Sequence, residues 1–239
     1  MRRAGPGRSC QTVARVSLAV SLAQPLRADV GLGRRSRDGG AGGVLKVTLS
    51  RDHIAGKLAE HRPRDPLFAA RSRASVAAVL RFSPEAEVLL MERAARPGDR
   101  WSGHISFPGG RESPEDPDLR ATAIRETCEE VGLDLEAHGD YLGRLDGIRA
   151  IARGRPLSMV IVPHVFVCED CPNLRLGDEA ETAFWLPLDA AASGRLDDVY
   201  DYRLGPASWK LPCWRYRGHV IWGLTHQMLT QLLAVVGAR

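Results

Sequence analysis

The spacing of apolar positions changes along this chain, and the changes predict its elements. Residues 74–82 (Ala-Ser-Val-Ala-Ala-Val-Leu-Arg-Phe) and 87–91 (Glu-Val-Leu-Leu-Met) are short apolar runs around Ser83-Pro84-Glu85. They predict two strands joined by a turn. Ser50 is a good cap for a helix through His61, with Ile54 and Leu58 on one face. Residues 95–106 read as a loop carrying Trp101 and His104. From Ala121 the period becomes helical: Ala121, Ile124, Cys128 and Val131 form an apolar stripe. Asp118 or Pro117 is the expected start of this helix and Gly132 its stop.

Further on, 141–151 and 158–167 predict two strands joined by an Arg153-Gly154-Arg155-Pro156 turn. A polar loop over 172–182 leads to a short strand at 183–186 and a small helix near 188–192. A last strand at 216–222 and a closing helix over 224–236 complete the pattern. Strands before, between and after two main helices predict an α/β/α sandwich around a central mixed sheet.

The main helix is unusual on its polar side. Residues 125–133 read Arg-Glu-Thr-Cys-Glu-Glu-Val-Gly-Leu. Glu126, Glu129 and Glu130 are spaced by three and four, which puts their side chains within about 5–6 Å on one helix face. Three bare carboxylates that close repel unless cations sit among them. Hard oxygen ligands with no His or Cys cluster beside them point to Mg²⁺ or Mn²⁺. Arg125, four residues before Glu129, can brace that carboxylate. Phe107-Pro108-Gly109-Gly110 comes just before, and glycines there let the backbone turn sharply and approach closely. The bland alternative is a solvated acidic face. The glycine turn and the order Arg-Glu-x-x-Glu-Glu-x-Gly weigh against it.

These residues resemble the Nudix box, G-x5-E-x7-R-E-U-x-E-E-x-G-U, over about 110–133. The second half matches from Arg125 to Leu133, with Thr127 at the first aliphatic position. The lead-in is one residue longer than the pattern, and its acidic position falls on Asp116 counting from Gly110, or on Pro117 counting back from Arg125. An insertion with Asp there is similar to the coenzyme A pyrophosphatase branch of Nudix hydrolases. That branch reads F-P-G-G-x-x-D-x-x-D, and here Ser113 replaces the first Asp. The upstream run Leu89 to Ala95, with Gly103 and Phe107-Pro-Gly-Gly, resembles the branch's second signature. Met91 and Ala94 replace its Thr and Ser, and Asp99 stands where its Arg would fall, one place before Arg100. Residues 184–188 and 221–225 are also similar, so the resemblance runs over roughly 73–235.

The resemblance implies the Nudix fold and metal-dependent hydrolysis of a phosphoanhydride in a nucleoside diphosphate derivative. Coenzyme A or its thioesters is the leading substrate, cut to 3′,5′-ADP and 4′-phosphopantetheine or its acyl derivative. An ADP-ribose-like or other dinucleotide substrate, or a non-catalytic nucleotide sensor, are the alternatives. The intact glutamates argue against the sensor. Glu126 and Glu130 are implied as metal ligands, and Glu129 as a further ligand or the base. Arg125 is implied to orient a glutamate. Glu179 is the candidate for a remote acid that completes the site, with Asp178 and Glu181 as rivals. Arg93 and Arg100 are candidates for substrate phosphates, with Gly109 and Gly110 lining the site. His104 and Trp101 could also meet substrate, though each is more often structural.

Composition narrows the rest. The chain has 239 residues, 44% hydrophobic and 26% charged, ordinary for one globular domain over 45–239 with a tail. Net charge is +4, and the first 37 residues hold eight Arg against a single acid, Asp29. Nucleic acid is therefore not an expected partner. No stretch of 18 apolar residues occurs, so a membrane span is not expected. The expected partner is a small nucleotide, with a homodimer open. Residues 1–44, rich in Arg, Gly and Ala, read as a disordered extension or a targeting segment. Five scattered cysteines, with Cys168 and Cys171 as a lone C-x-x-C, fit a reduced, cytoplasmic setting, or a mitochondrial one if 1–44 is a transit peptide.

Overall fold

A computed structural model describes residues 49–67, 70–96, 101–152 and 155–239. The extension expected over 1–44 and the candidate Arg100 lie outside the described residues. Strand β1 (Ser72–Phe82) runs parallel to β7 (Arg155–Val167) through nine register pairs, from Ser72↔Met159 to Leu80↔Val167. Both strands are buried on both faces, which explains why their sequences are almost continuously apolar. The other edge of β1 is shared. Strand β2 (Ala86–Arg93) pairs with Leu80–Phe82 and β4 (Gly109–Arg111) with Ala74–Val76, both antiparallel. Outside these lie β3 (Ile105–Ser106), β5 (Asp140–Arg144), β6 (Ile148–Ala152) and β8 (Ala180–Pro187), giving one mixed eight-stranded sheet.

Alternation along β1 sends Ala78 and Leu80 into one core and Ala77 and Val79 into the other. Helices α1 (Arg51–Glu60) and α5 (Gly223–Val235) cover the first face with Ile54, Leu58, Met228, Leu229, Leu232 and Leu233. Helix α2 (Leu119–Val131) covers the second. Each fully buried Leu or Val contributes roughly 1.5–3 kcal/mol. The α/β/α sandwich with a mixed sheet is what the sequence predicts. Short helices α3 (Leu135–His138) and α4 (Leu188–Ala192) fill the connections.

Several expectations need correction. The stretch 141–151 is two strands, because the chain leaves the sheet at Leu145–Gly147 to meet the 64–65 segment, where Gly147 N–H donates to Arg64 O at 2.8 Å. Arg155 and Pro156, read as a turn, belong to β7, and residues 153–154 lie outside the described residues. A second sheet forms from β9 (Asp197–Leu204), β10 (Ala207–Tyr216) and β11 (His219–Trp222), in the order β11-β10-β9, and of these the sequence pattern predicts only β11. The expected strand at 216–222 is in fact the β10–β11 hairpin turn and β11.

The apolar stripe of α2 is also rotated. Leu119, Thr122, Ala123, Thr127, Glu130 and Val131 are buried, whereas Ala121, Ile124 and Cys128 are half-buried. Burial of Thr127 is tolerated because its hydroxyl donates to Ala123 O at 2.7 Å. Burial of Glu130 has a reason in the site. Cys168 and Cys171 are joined as a disulfide and not held as separate thiols. No helix among the described residues is long and apolar enough to cross a membrane.

Candidate active site

The site is built where β2 and β4 part along β1. Ala77 N–H donates to Pro108 O at 2.8 Å, so the Pro-Gly-Gly turn is pinned to the sheet. Gly109 opposes Val76 with φ 153°, and a Cβ there would overlap the Ser75 carbonyl. This close approach aims Gly109 N–H at Glu130 Oε2, 2.8 Å away. A Cβ on Gly110 would overlap the Glu126 carboxylate, so glycine keeps that space open.

Helix α2 is fixed at both ends. Asp118 accepts from Ala121 N at 2.8 Å as N-cap, and Gly132 closes the C-terminus at φ 68°. Beyond the cap, the 172–179 loop returns to satisfy the last carbonyls. Arg175 N–H donates to Val131 O and Gly177 N–H to Glu130 O, both at 2.9 Å. Gly177 has no alternative, because a Cβ would overlap the Glu129 carbonyl. The same loop brings Glu179 to the site, where its carbonyl accepts from Ala94 N at 2.9 Å and its carboxylate pairs with Arg96 at 2.8 Å.

The three helix glutamates sit in different surroundings. Glu130 is 1% exposed. Its Oε1 has no hydrogen-bond partner, and the Arg93 guanidinium lies 3.6 Å away. Burial is the main reason its acid is pushed up to about 8, against the Gly109 N–H and Arg93, which pull it down. Glu126 is also pushed up, first by burial and then by Glu129 and Glu179, with Arg125 opposing. Glu129 points outward with its side chain 60% exposed.

Arg125 holds this arrangement together. It donates to Glu126 Oε1 at 2.8 Å and to Glu129 Oε2 at 3.3 Å. On its other side it forms a two-point pair with Asp116, Nε to Oδ1 and Nη2 to Oδ2, each 2.9 Å. Asp116 also accepts from Ser113 N and the Thr122 hydroxyl, and with Arg125 as the leading cause its carboxyl is held down at about 2. So Asp116, in the lead-in, anchors Arg125, and Arg125 in turn carries two glutamates.

The expected close cluster of three ligands is thus modified. Among the described residues, no group of three His, Cys, Asp or Glu side chains is gathered tightly enough to hold an ion. Arg125, Arg93 and the raised pKa of Glu130 relieve the repulsion that the spacing creates. The donors still suit a hard divalent cation. Glu126 and Glu130 present carboxylate oxygens, one of them buried and without a hydrogen bond, beside a glycine that leaves room.

One open cleft of about 3560 Å³ reaches Glu126, while the buried Glu130 does not line it. Arg93, Arg96, Glu126, Glu129, Asp178 and Glu179 line it, and Glu181 does not. Cys128 faces it too, contrary to the expected core position. Trp101 lies on its wall, and His104 packs on Trp222 with ring centroids 4.9 Å apart. The unpredicted β9–β10 hairpin supplies Tyr202 and Trp209, and β11 supplies Trp222. The hairpin's signal was present: Tyr200, Tyr202 and Leu204 alternate with Asp201 and Arg203 before a Gly205-Pro206 turn.

The sequence pattern of the NUDIX domain family matches residues 71–204. An uncharacterized protein of Schizosaccharomyces pombe is 37% identical over 152 residues, 55% of this chain. This chain spans only 46% of that relative's length. The uncharacterized Nudix hydrolase NudL of Cronobacter sakazakii is 30% identical over 159 residues, 65% of this chain and 78% of NudL. Among solved structures, the Nudix hydrolase RenU of M. smegmatis is 16% identical with a TM-score of 0.45, covering 71% of this chain and 89% of that one.

Proposed function

Since the chain belongs to the Nudix family and is a pyrophosphohydrolase, we propose that it hydrolyses the phosphoanhydride of coenzyme A or an acyl-coenzyme A. Water adds across the P–O–P bridge, leaving 3′,5′-ADP and 4′-phosphopantetheine or its acyl derivative. The observation that carries this reading is the Asp116–Arg125–Glu126/Glu129 network, which gives the longer lead-in a structural task.

Glu126 and Glu130 would hold Mg²⁺ or Mn²⁺, with Glu129 turning inward from its exposed position as a third ligand. Such an ion would neutralise phosphate charge and make a bound water more acidic. The chain's own groups do the positioning. Gly109 N–H fixes Glu130, Arg125 fixes Glu126, and Gly110 leaves space for the Glu126 carboxylate. Glu179 would accept the proton from the attacking water. It is close enough to raise the pKa of both Glu126 and Glu130, and half exposed to the cleft. Arg96, paired with Glu179, would pass to the substrate's phosphates on binding.

The test incubates purified protein and Mg²⁺ with coenzyme A, ADP-ribose and diadenosine polyphosphates. Rapid release of 3′,5′-ADP supports the reading. Rapid cleavage of ADP-ribose with coenzyme A untouched overturns the substrate. No turnover anywhere, with Glu130→Gln binding nucleotide as well as the parent does, points to a sensor.

A further inference from the structure

We propose that the cleft-facing side of the β9–β10–β11 sheet is the subsite for the substrate's nucleobase, with Tyr202 and Trp209 stacking on a purine ring. The proposal rests on the nucleotide-hydrolase reading but not on coenzyme A as the substrate. The register of the small sheet decides which residues share a face. Tyr202 pairs with Trp209 and Tyr200 with Leu211, while Cys213 pairs with Trp222 on the other side. Toward the β9–β10 turn this face is therefore aromatic and apolar, and further along it carries the Asp198–Arg215 ion pair. The opposite face carries Asp201 and Lys210 as a 3.0 Å ion pair. That reverse face also carries Trp214 and Ile221, buried in the core, so the Tyr202–Trp209 patch is distinguished by its exposure to the cleft.

No part of the described chain covers it fully. Trp209 remains 46% exposed and Leu204 41% exposed, and both line the cleft. The rings form a connected path. Trp222 lies 5.3 Å from Tyr202, and Tyr202 lies 6.0 Å from Trp209. At its inner end Trp222 meets His104, whose carbonyl accepts from Arg93 N at 3.0 Å. Arg93 in turn lies 3.6 Å from Glu130. The aromatic face thus begins beside the carboxylates and leads away from them, as the base of a bound nucleotide must lead away from its phosphates.

The choice of ring over acyl chain follows from the walls. Aliphatic side chains in the cleft, Leu157, Met159, Ile161 and Leu224, belong to a different part of the fold. A flexible chain suits that surface. Flat, partly exposed rings suit a flat partner, and stacking tolerates any base.

Trp209→Ala and Tyr202→Ala change cleft-facing rings outside the catalytic groups. Calorimetric titration of the full chain with Mg²⁺ and ADP should show affinity falling roughly five- to fiftyfold in each. Inorganic pyrophosphate, which has no base, should bind within about twofold of the parent, and Trp209→Phe should recover most of the ADP affinity. Unchanged ADP binding overturns the proposal. So does an equal loss for pyrophosphate, which would mean a structural role. Loss confined to octanoyl-coenzyme A over coenzyme A, with ADP unaffected, gives the face to the acyl chain and also overturns it. If ADP-ribose proves to be the substrate, the coenzyme A reading fails while the base subsite stands, because both carry adenine.

Discussion

Ion binding by this site should expel a proton, and Glu130 fixes how many. Burial raises its acid to about 8 in the ion-free protein. At pH 7 only about one molecule in ten carries the carboxylate, and ionising the rest costs about 1.4 kcal/mol. An ion needs the carboxylate, so its dissociation constant should fall about tenfold for each pH unit between 6 and 8, then level off. Glu126, also raised, adds to the slope below its own titration. Calorimetric Mn²⁺ titration in two buffers of different ionisation enthalpy counts the protons directly. About one should leave per ion at pH 7 and almost none at pH 9.

The same shift acts on stability. A carboxyl whose folded pKa lies above its unfolded value of 4.5 stabilises fully below 4.5, and that contribution is lost as pH rises through 8. The ion-free protein should lose about 1.4 kcal/mol per unit over that window on this account, and Glu130→Gln should remove the slope. Mn²⁺ affinity that is flat from pH 6 to 8, with no proton released, would refute the reasoning.

Three more outcomes are expected. Asp116→Asn should cost roughly 2 kcal/mol in urea unfolding at pH 7, because an Asp held at about 2 stabilises above 3.8 and loses that effect as pH falls toward 2. Activity should fall with it, since Arg125 loses its anchor; an unchanged midpoint and rate would contradict the network. Gly110→Ala should leave the melting temperature within a few degrees, because the displaced group is a side-chain end, yet reduce kcat about a hundredfold by moving Glu126. His164 is buried beside Tyr141 with Nε2 lacking a partner, and burial lowers it to about 4. Its neutral form stabilises fully above 6.5, and about 3 kcal/mol is lost as pH falls to 4, a slope that His164→Leu should flatten in acid titrations followed by circular dichroism.

Much of the fold was legible because local signals agreed with the packing. Ser50 caps α1, Asp118 and Gly132 bound α2, and the paired runs at 74–82 and 87–91 form β1 and β2. The failures share a cause: contacts distant in sequence. Nothing local says that β1 lies beside β7, about 80 residues away, or that Glu130 must turn inward to meet Gly109 N–H. The buried stripe of α2 instead includes Thr127 and Glu130, with Ile124 and Cys128 half-buried at its side. The β9–β10 hairpin was legible in its alternation, but its place on the cleft wall was not. In the candidate site, spacing brought the glutamates to one helix, whereas burial separated their chemistry into one deep, one half-buried and one exposed acid.

The 172–179 loop hangs on the end of α2 by two backbone bonds, one from Arg175 and one from Gly177. The loop therefore links the last turn carrying Glu129 and Glu130 to Glu179, which Ala94 N and Arg96 hold from the side of β2. Amide hydrogen exchange at Arg175 and Gly177 then reports the integrity of the hydrolytic centre itself. A ligand gripping the glutamates would slow that exchange without touching either residue.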